Sequence, residues 1–264
     1  MTNEIIHEIF ADRPLGNAKL WRYLSLSKLI SLLESRSLHF TRIDKFDDHF
    51  EGVWPLEDLK QLNKLKGANI PSYTEFVKQN QIAACCWIKN EYESVAMWKL
   101  YSNHEGLAIT STYEQLDNSL KDSQTLDGIG LFGVGKVKYV DHVKDSLVRT
   151  SEPLPNTLRP FMIKNISYEH EKEVRALAMS EFNFTISEYG LDIKVNLDHL
   201  INDIVINPLA SDHYISTTRK LLEKYQMESK LRISSLSKLS FYQKVISNNP
   251  KYQFGRHVKV GGEE

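Results

Sequence analysis

Ile82-Ala83-Ala84-Cys85-Cys86-Trp87-Ile88 is a continuous apolar run of strand length. Alternation would mark a strand with one wet face; an unbroken apolar run marks one covered on both faces. Such a strand needs layers on either side, so the chain should build a sheet with helices against it. Downstream, Ser94 opens a helix in which Met97 and Trp98 stand four and three residues before Tyr101, an inward stripe. Gly106 turns the chain out of that helix into the strand Leu107-Ala108-Ile109-Thr110. Upstream, residues 56–79 are polar and helix-prone, broken by Gly67 and Pro71 into two short helices.

Further out the same alternation of short elements continues. Leu20-Trp21-Arg22-Tyr23-Leu24 has strand propensity. Ser25 or Ser27 then caps a helix to about Ser35, because Leu26, Ile30 and Leu33 fall at helical spacing. Leu38-His39-Phe40-Thr41 reads as a strand leading into an acidic, aromatic loop from Asp44 to Gly52. Gly128, Gly130, Gly133 and Gly135 precede an alternating strand over Val137-Lys138-Tyr139-Val140. They are not a dinucleotide fingerprint, whose glycines must follow a strand and open a helix. A short helix is expected from Leu158 to about Asn165, then strands over Glu173–Ala178 and Leu191–Asn196. A helical turn at Asp198–Ile201 precedes the strand Ile204–Asn207, stopped by Pro208, a helix from about Ser211 to Tyr225 and a strand near Leu231–Ser234. No regular βαβ beat emerges, so the class is α+β: short strands in a mixed or split antiparallel sheet flanked by helices. The reading divides the 264 residues into an N-terminal extension (1–19), one domain (20–235) and a C-terminal extension (236–264).

Composition narrows the function classes. With 41% hydrophobic and 10% aromatic residues the chain can bury a core, which excludes wholesale disorder. Thirty-three basic residues nearly balance 34 acidic ones, so there is no global field to attract nucleic acid or an anionic membrane. Neither a signal leader nor an apolar stretch of about 20 residues is present, and no membrane partner is expected. The two cysteines, Cys85 and Cys86, are adjacent; they close a disulfide only with strain and lack a patterned partner for zinc. Reduced thiols in a cytoplasm are the plain reading, and no metal site is expected.

The residues that can carry chemistry lie in Tyr168-Glu169-His170-Glu171-Lys172-Glu173-Val174-Arg175. On a strand, positions 171 and 173 share a face, roughly 6–7 Å apart. Paired carboxylates on a pocket wall can divide labour between a nucleophile and a hydroxyl or cation. Arg175 continues that face and can hold one carboxylate ionised or bind an anionic ligand. The same residues would equally suit a solvated edge strand with mixed charges. Arg22, set between Trp21 and Tyr23, can reach a phosphate in a cleft or lie flat over apolar surface. Asp44, Asp47, Asp48 and Glu51 crowd one loop, but calcium-loop spacing is missing and Phe46 and Phe50 point to a loop pinned on the core.

Taken in order, these residues resemble an uncharacterised bacterial family, domain of unknown function 2971. The likeness runs through Trp21-Arg22-Tyr23, Leu29 to Leu33, Leu38-His39-Phe40 and Phe46-Asp47-Asp48-His49-Phe50-Glu51. It continues through Cys86, Met97-Trp98 with Tyr101, Gly106-Leu107-Ala108-Ile109, Lys164, Tyr168, the Glu-x-Glu-x-Arg of Glu171, Glu173 and Arg175, and Ile204 to Pro208. It covers about residues 20–235. Asp47-Asp48-His49 replaces the family's Asn-Asp-Pro, and Trp87-Ile88 stands where Phe-Ser is common.

A more distant likeness is similar to ADP-ribosyltransferase-like folds, including bacterial enzymes that modify nucleic acid as toxins or phage defences. It implies NAD as co-substrate and an acceptor on nucleic acid or protein. Under it, Arg22 and Tyr23 would sit near the dinucleotide. Glu173 would stabilise the oxocarbenium-like ribose through its 2′-hydroxyl, Glu171 would orient the acceptor, and Tyr101 or Trp98 would support the nicotinamide pocket. Two other readings stand beside this transferase: a non-catalytic sensor in which Glu171, Glu173 and Arg175 form a structural ion-pair network, and a metal-dependent hydrolase using the acidic loop.

Overall fold

A computed structural model describes residues 10–64, 69–102, 105–123, 128–148, 156–181, 183–238 and 244–245. The apolar run forms β3 (Ile82–Lys89), the strand about which a nine-stranded, largely antiparallel sheet is organised. Along one edge it pairs over its whole apolar length with β8 (Glu173–Ser180), which in turn carries β5 (Ile129–Lys136). Along the other edge it holds two strands end to end. β1 (Lys19–Ser25) pairs at Ile88 and Lys89, and β2 (Ser37–Arg42) pairs at Ala83 and Ala84. β1 continues outward to β4 (Gly106–Thr112), β10 (Ile204–Ile206) and β11 (Leu231–Ile233); β2 continues to β9 (Leu191–Lys194). The sheet is therefore split on that side of β3, and Cys85, Cys86 and Trp87 face the gap without a strand partner there.

Both faces of the sheet are covered. Ala83, Cys85 and Trp87 enter the larger core with Leu20, Leu29, Leu32, Leu107 and Ile109, under α1 (Leu26–Ser35) and the helices Tyr113–Lys121 and Asp212–Lys224. Ile82 and Ala84 enter the second core with Val77, Phe161 and Leu177, against the helix Ile70–Asn80. This two-sided burial is why the run is apolar throughout. It fails only at Cys86 and Ile88, which are half-buried because they look into the split.

Ser25 is the residue that caps α1, accepting a hydrogen bond from Lys28 N, and Ser94 caps the helix Val95–Tyr101 in the same way. Met97 and Trp98 are buried as the stripe requires, but Tyr101 at its end is 46% exposed because it leans over the split. Two short helices do span the polar stretch, Leu56–Leu62 and Ile70–Asn80, although the break expected at Gly67 lies outside the described residues.

Two segments differ from expectation. The glycine-rich run does precede the expected strand, β6 (Lys138–Val140), but from Ile129 it is also a strand itself, β5, where a Cβ on Gly133 would fall 2.3 Å from the Phe10 ring that packs there. The helix expected from Leu158 is a single 3-10 turn, Arg159–Met162, followed by the short strand β7 (Ile163–Asn165), which pairs in parallel with β6. Residues 1–9 and most of those beyond 238 lie outside the described residues. Among the described residues no helix is long and apolar enough to cross a membrane.

Candidate functional site

The split between β1 and β2 opens into a cleft of about 810 Å³. That size is within the roughly 300–1,000 Å³ range of small-molecule sites. One wall is Trp21 to Leu24 of β1 with Lys28 and Ser31 of α1; the other is His39 and Thr41 of β2 with Lys45 and Phe46. Glu51, Cys86, Lys164, Glu171 and Glu173 form its floor, and Tyr101 and Tyr168 stand at its side.

The floor is built by four separate segments. Glu171 closes the 3-10 helix Ile166–Glu171, Lys172 turns through a left-handed conformation (φ 45°), and Glu173 opens β8. The two carboxylates are thus not neighbours on one strand face, as their spacing predicts; the turn at Lys172 redirects the chain between them. They converge through Lys164 of β7, whose Nζ lies 2.6 Å from Glu171 Oε2 and 3.3 Å from Glu173 Oε2. Tyr101 donates to Glu171 Oε1 at 2.6 Å. Tyr139 accepts from the Glu173 amide at 2.7 Å.

Arg175 lies beneath this floor with no exposed surface. Its Nε donates to Glu173 Oε1 at 2.7 Å, and its Nη1 and Nη2 form a fork on Glu51 at 2.9 Å each. Nη1 also donates to the Phe161 carbonyl at 2.8 Å. Bidentate geometry of this kind makes the strongest of the charge-assisted bonds. Burial by itself would push the Glu173 carboxyl up, but Arg175 and Lys164 outweigh it and hold the group down to about 2. Glu51 goes the other way: its desolvation exceeds the pull of Arg175, and its carboxyl is raised. Lys164 is raised despite burial, chiefly by Glu173 and Glu171, and so is a firm cation. Burial also raises the Cys86 thiol well above its usual range, with Glu173 adding to the effect, so Cys86 is a neutral group rather than a nucleophile.

The residues singled out from sequence divide in two. Arg22, Tyr23, Tyr101, Glu171 and Glu173 line the one cleft. Arg22 Nη2 donates across the split to the His39 carbonyl at 3.1 Å, leaving other guanidinium donors for a ligand. Tyr23 is mostly buried; its hydroxyl accepts from Ser94 N and is pushed up to about 12 by burial. Trp98 and Arg175 lie outside the lining. Trp98 stands behind Tyr23, edge to face at 4.8 Å, with its indole on Glu93, so it supports a wall rather than a ligand. Arg175 has its donors turned to Glu51, Glu173 and Phe161, a placement that suits the carboxylate-holding role and not contact with an anionic ligand.

Glu51 belongs to the floor although its acidic loop gave no reason to separate it from its neighbours. Of the other acids there, Asp44 turns away and forks onto Arg42, while Asp47 and Asp48 also line the cleft, Asp48 accepting from the Phe50 amide. Among the described residues no three His, Cys, Asp or Glu side chains are grouped to hold a metal. The clue to Glu51 was its place in the ordered resemblance, beside Phe50.

No family model matches the chain, and no curated protein does. Two solved structures align with most of it. Thermus sp. 2.9 DarT in complex with NAD+ is 10% identical, with 84% of this chain and 96% of that chain covered and a TM-score of 0.38. The same protein with carba-NAD+ is 11% identical, with the same coverage and a TM-score of 0.37. At those scores the likeness assigns no residue and no activity.

Proposed function

We propose that the chain binds a nicotinamide dinucleotide in the split beside β3 and transfers its ADP-ribose to a nucleophile on nucleic acid or protein, as a toxin or phage-defence effector. The observation that carries this reading is that Arg22 and Glu173, 151 positions apart by their numbers, line one cleft. An arginine with spare donors at one wall suits a pyrophosphate. A buried carboxylate held ionised at the floor suits the positive charge that develops on ribose as the glycosidic bond breaks. Glu173 takes that role, reaching the 2′-hydroxyl. Glu171, bonded to the Tyr101 hydroxyl, orients the acceptor, and Tyr23 and Tyr101 flank the ring.

The test is nicotinamide release from NAD by the purified chain, with protein, DNA and RNA offered as acceptors. Release should appear with one acceptor class and vanish in Glu173→Gln, rates being normalised to folded protein. A folded wild-type chain that consumes no NAD with any acceptor ends the proposal.

A second reading has its own supporting observation. Glu51, Glu173 and Arg175 close a network with almost no exposed surface, as a purely structural ion-pair cluster in a non-catalytic sensor domain would. Arg22 separates the two, because it is outside that network: Arg22→Ala impairs a transferase and leaves a structural cluster untouched.

A further inference from the structure

Among the described residues, five ionisable side chains meet at and below the cleft floor, and their charges do not cancel. Glu51, Glu171 and Glu173 bring three carboxylates; Lys164 and Arg175 bring two cations; each is less than a tenth exposed. Fully ionised, the group keeps one surplus negative charge. A buried charge without a partner is strongly disfavoured, so such a group retains a proton or takes up a cation. Among the described residues, the other titratable groups packed against it do not balance it. Burial raises the Tyr101 and Tyr139 hydroxyls and the Cys86 thiol, so all three are neutral. Arg22, Lys28, His39, Lys45, Asp47 and Asp48 also line the cleft; these side chains are exposed or half-buried, where solvent and salt screen them. The raised carboxyl of Glu51 is consistent with a retained proton. Arg175 and Lys164 hold Glu173 ionised, so the proton is placed at Glu51.

We propose that this floor selects a ligand group bearing a single positive charge, a pyridinium-type ring, over a neutral ring of the same shape, and that the incoming cation replaces a proton held at Glu51. The proposal rests on the cleft being the nicotinamide-dinucleotide site, and it adds the charge state of what enters and what leaves. One proton goes to solvent as one cation enters, so the buried charge is zero before and after. Affinity for the charged ring then rises with pH while the free protein holds its proton, and levels off once the proton is lost.

Calorimetric titration of the full chain tests it, with NAD+ and NADH as dinucleotides and 1-methylnicotinamide and nicotinamide as charged and neutral rings. Each titration is run in two buffers of different ionisation enthalpy. The oxidised dinucleotide should bind at least about tenfold more tightly than the reduced one, the equivalent of about 1.4 kcal/mol. Its apparent enthalpy should differ between buffers by up to one released proton. Glu51→Gln removes the surplus charge and should reduce both the discrimination and the proton release. If that variant does not fold, the wild-type buffer dependence decides alone. Equal affinity for charged and neutral forms, with no proton release from about pH 5 to 8, overturns the proposal. If NAD is nevertheless consumed, the transferase reading survives that result. If the charged ring binds and neither dinucleotide does, charge selection stands and the transferase reading falls. If none of the four compounds binds, both fall.

Discussion

At the scale of single residues, the network under the cleft makes opposite demands on stability and on ligand binding. Arg175 is fully buried between Glu51 and Glu173, and removing it leaves two carboxylates facing each other in a dry site. Arg175→Met should therefore cost about 3–5 kcal/mol, read as a lower urea midpoint. Arg22→Ala should move the midpoint little, because Arg22 is half-buried at a cleft wall; it should weaken dinucleotide binding by about tenfold, the loss of one charge-assisted contact. Glu173 also sets a pH signature. Its folded carboxyl is held down to about 2 from an ordinary 4.5, so its stabilisation is complete above 4.5 and disappears as pH falls through 2. Wild-type and Glu173→Gln stabilities should converge across that window, followed by thermal melts at stepped pH. Glu51, being raised, works against this trend over its own range, which makes the mutant difference a cleaner readout than the wild-type curve.

At the scale of elements, what could be read from sequence follows what each element packs against. β3 declares itself because both its faces meet cores, and the caps Ser25 and Ser94 declare α1 and the Val95–Tyr101 helix because capping is local chemistry. β5 did not declare itself. Its glycines weaken strand propensity, and the reason for Gly133 lies more than a hundred positions away in Phe10, which no local pattern reveals. Gly133→Ala should accordingly destabilise by about 1–3 kcal/mol through overpacking against that ring, measured by denaturant titration. Shortening Phe10 in the same chain should recover part of the loss. The Glu171–Glu173 pair was legible as two carboxylates on one pocket wall but not as a geometry. A left-handed Lys172 breaks the two-residue strand period, and Lys164, on β7 in a separate two-stranded sheet, brings the carboxylates together again.

At the scale of the whole molecule, the α+β class and the mixed sheet could be derived because short elements alternate without a βαβ rhythm. The cleft could not, since it arises from two strands sharing one edge of a third, a property of pairing and not of composition. That arrangement leaves an interruption in the hydrogen-bonded fabric of the sheet. Successive residues of a strand direct their amides to opposite edges, so one or two of Cys85, Cys86 and Trp87 present main-chain groups to the gap. Those amides should exchange with deuterium faster than their neighbours, which are tied into the β8 ladder on the other side. A ligand seated there acts as a short splice between the β1 and β2 leaves, now bridged across the opening by the Arg22 contact to His39. Filling the cleft should slow exchange at these positions and on the facing edges of β1 and β2 together, a pattern that a ligand held at the mouth alone would not produce.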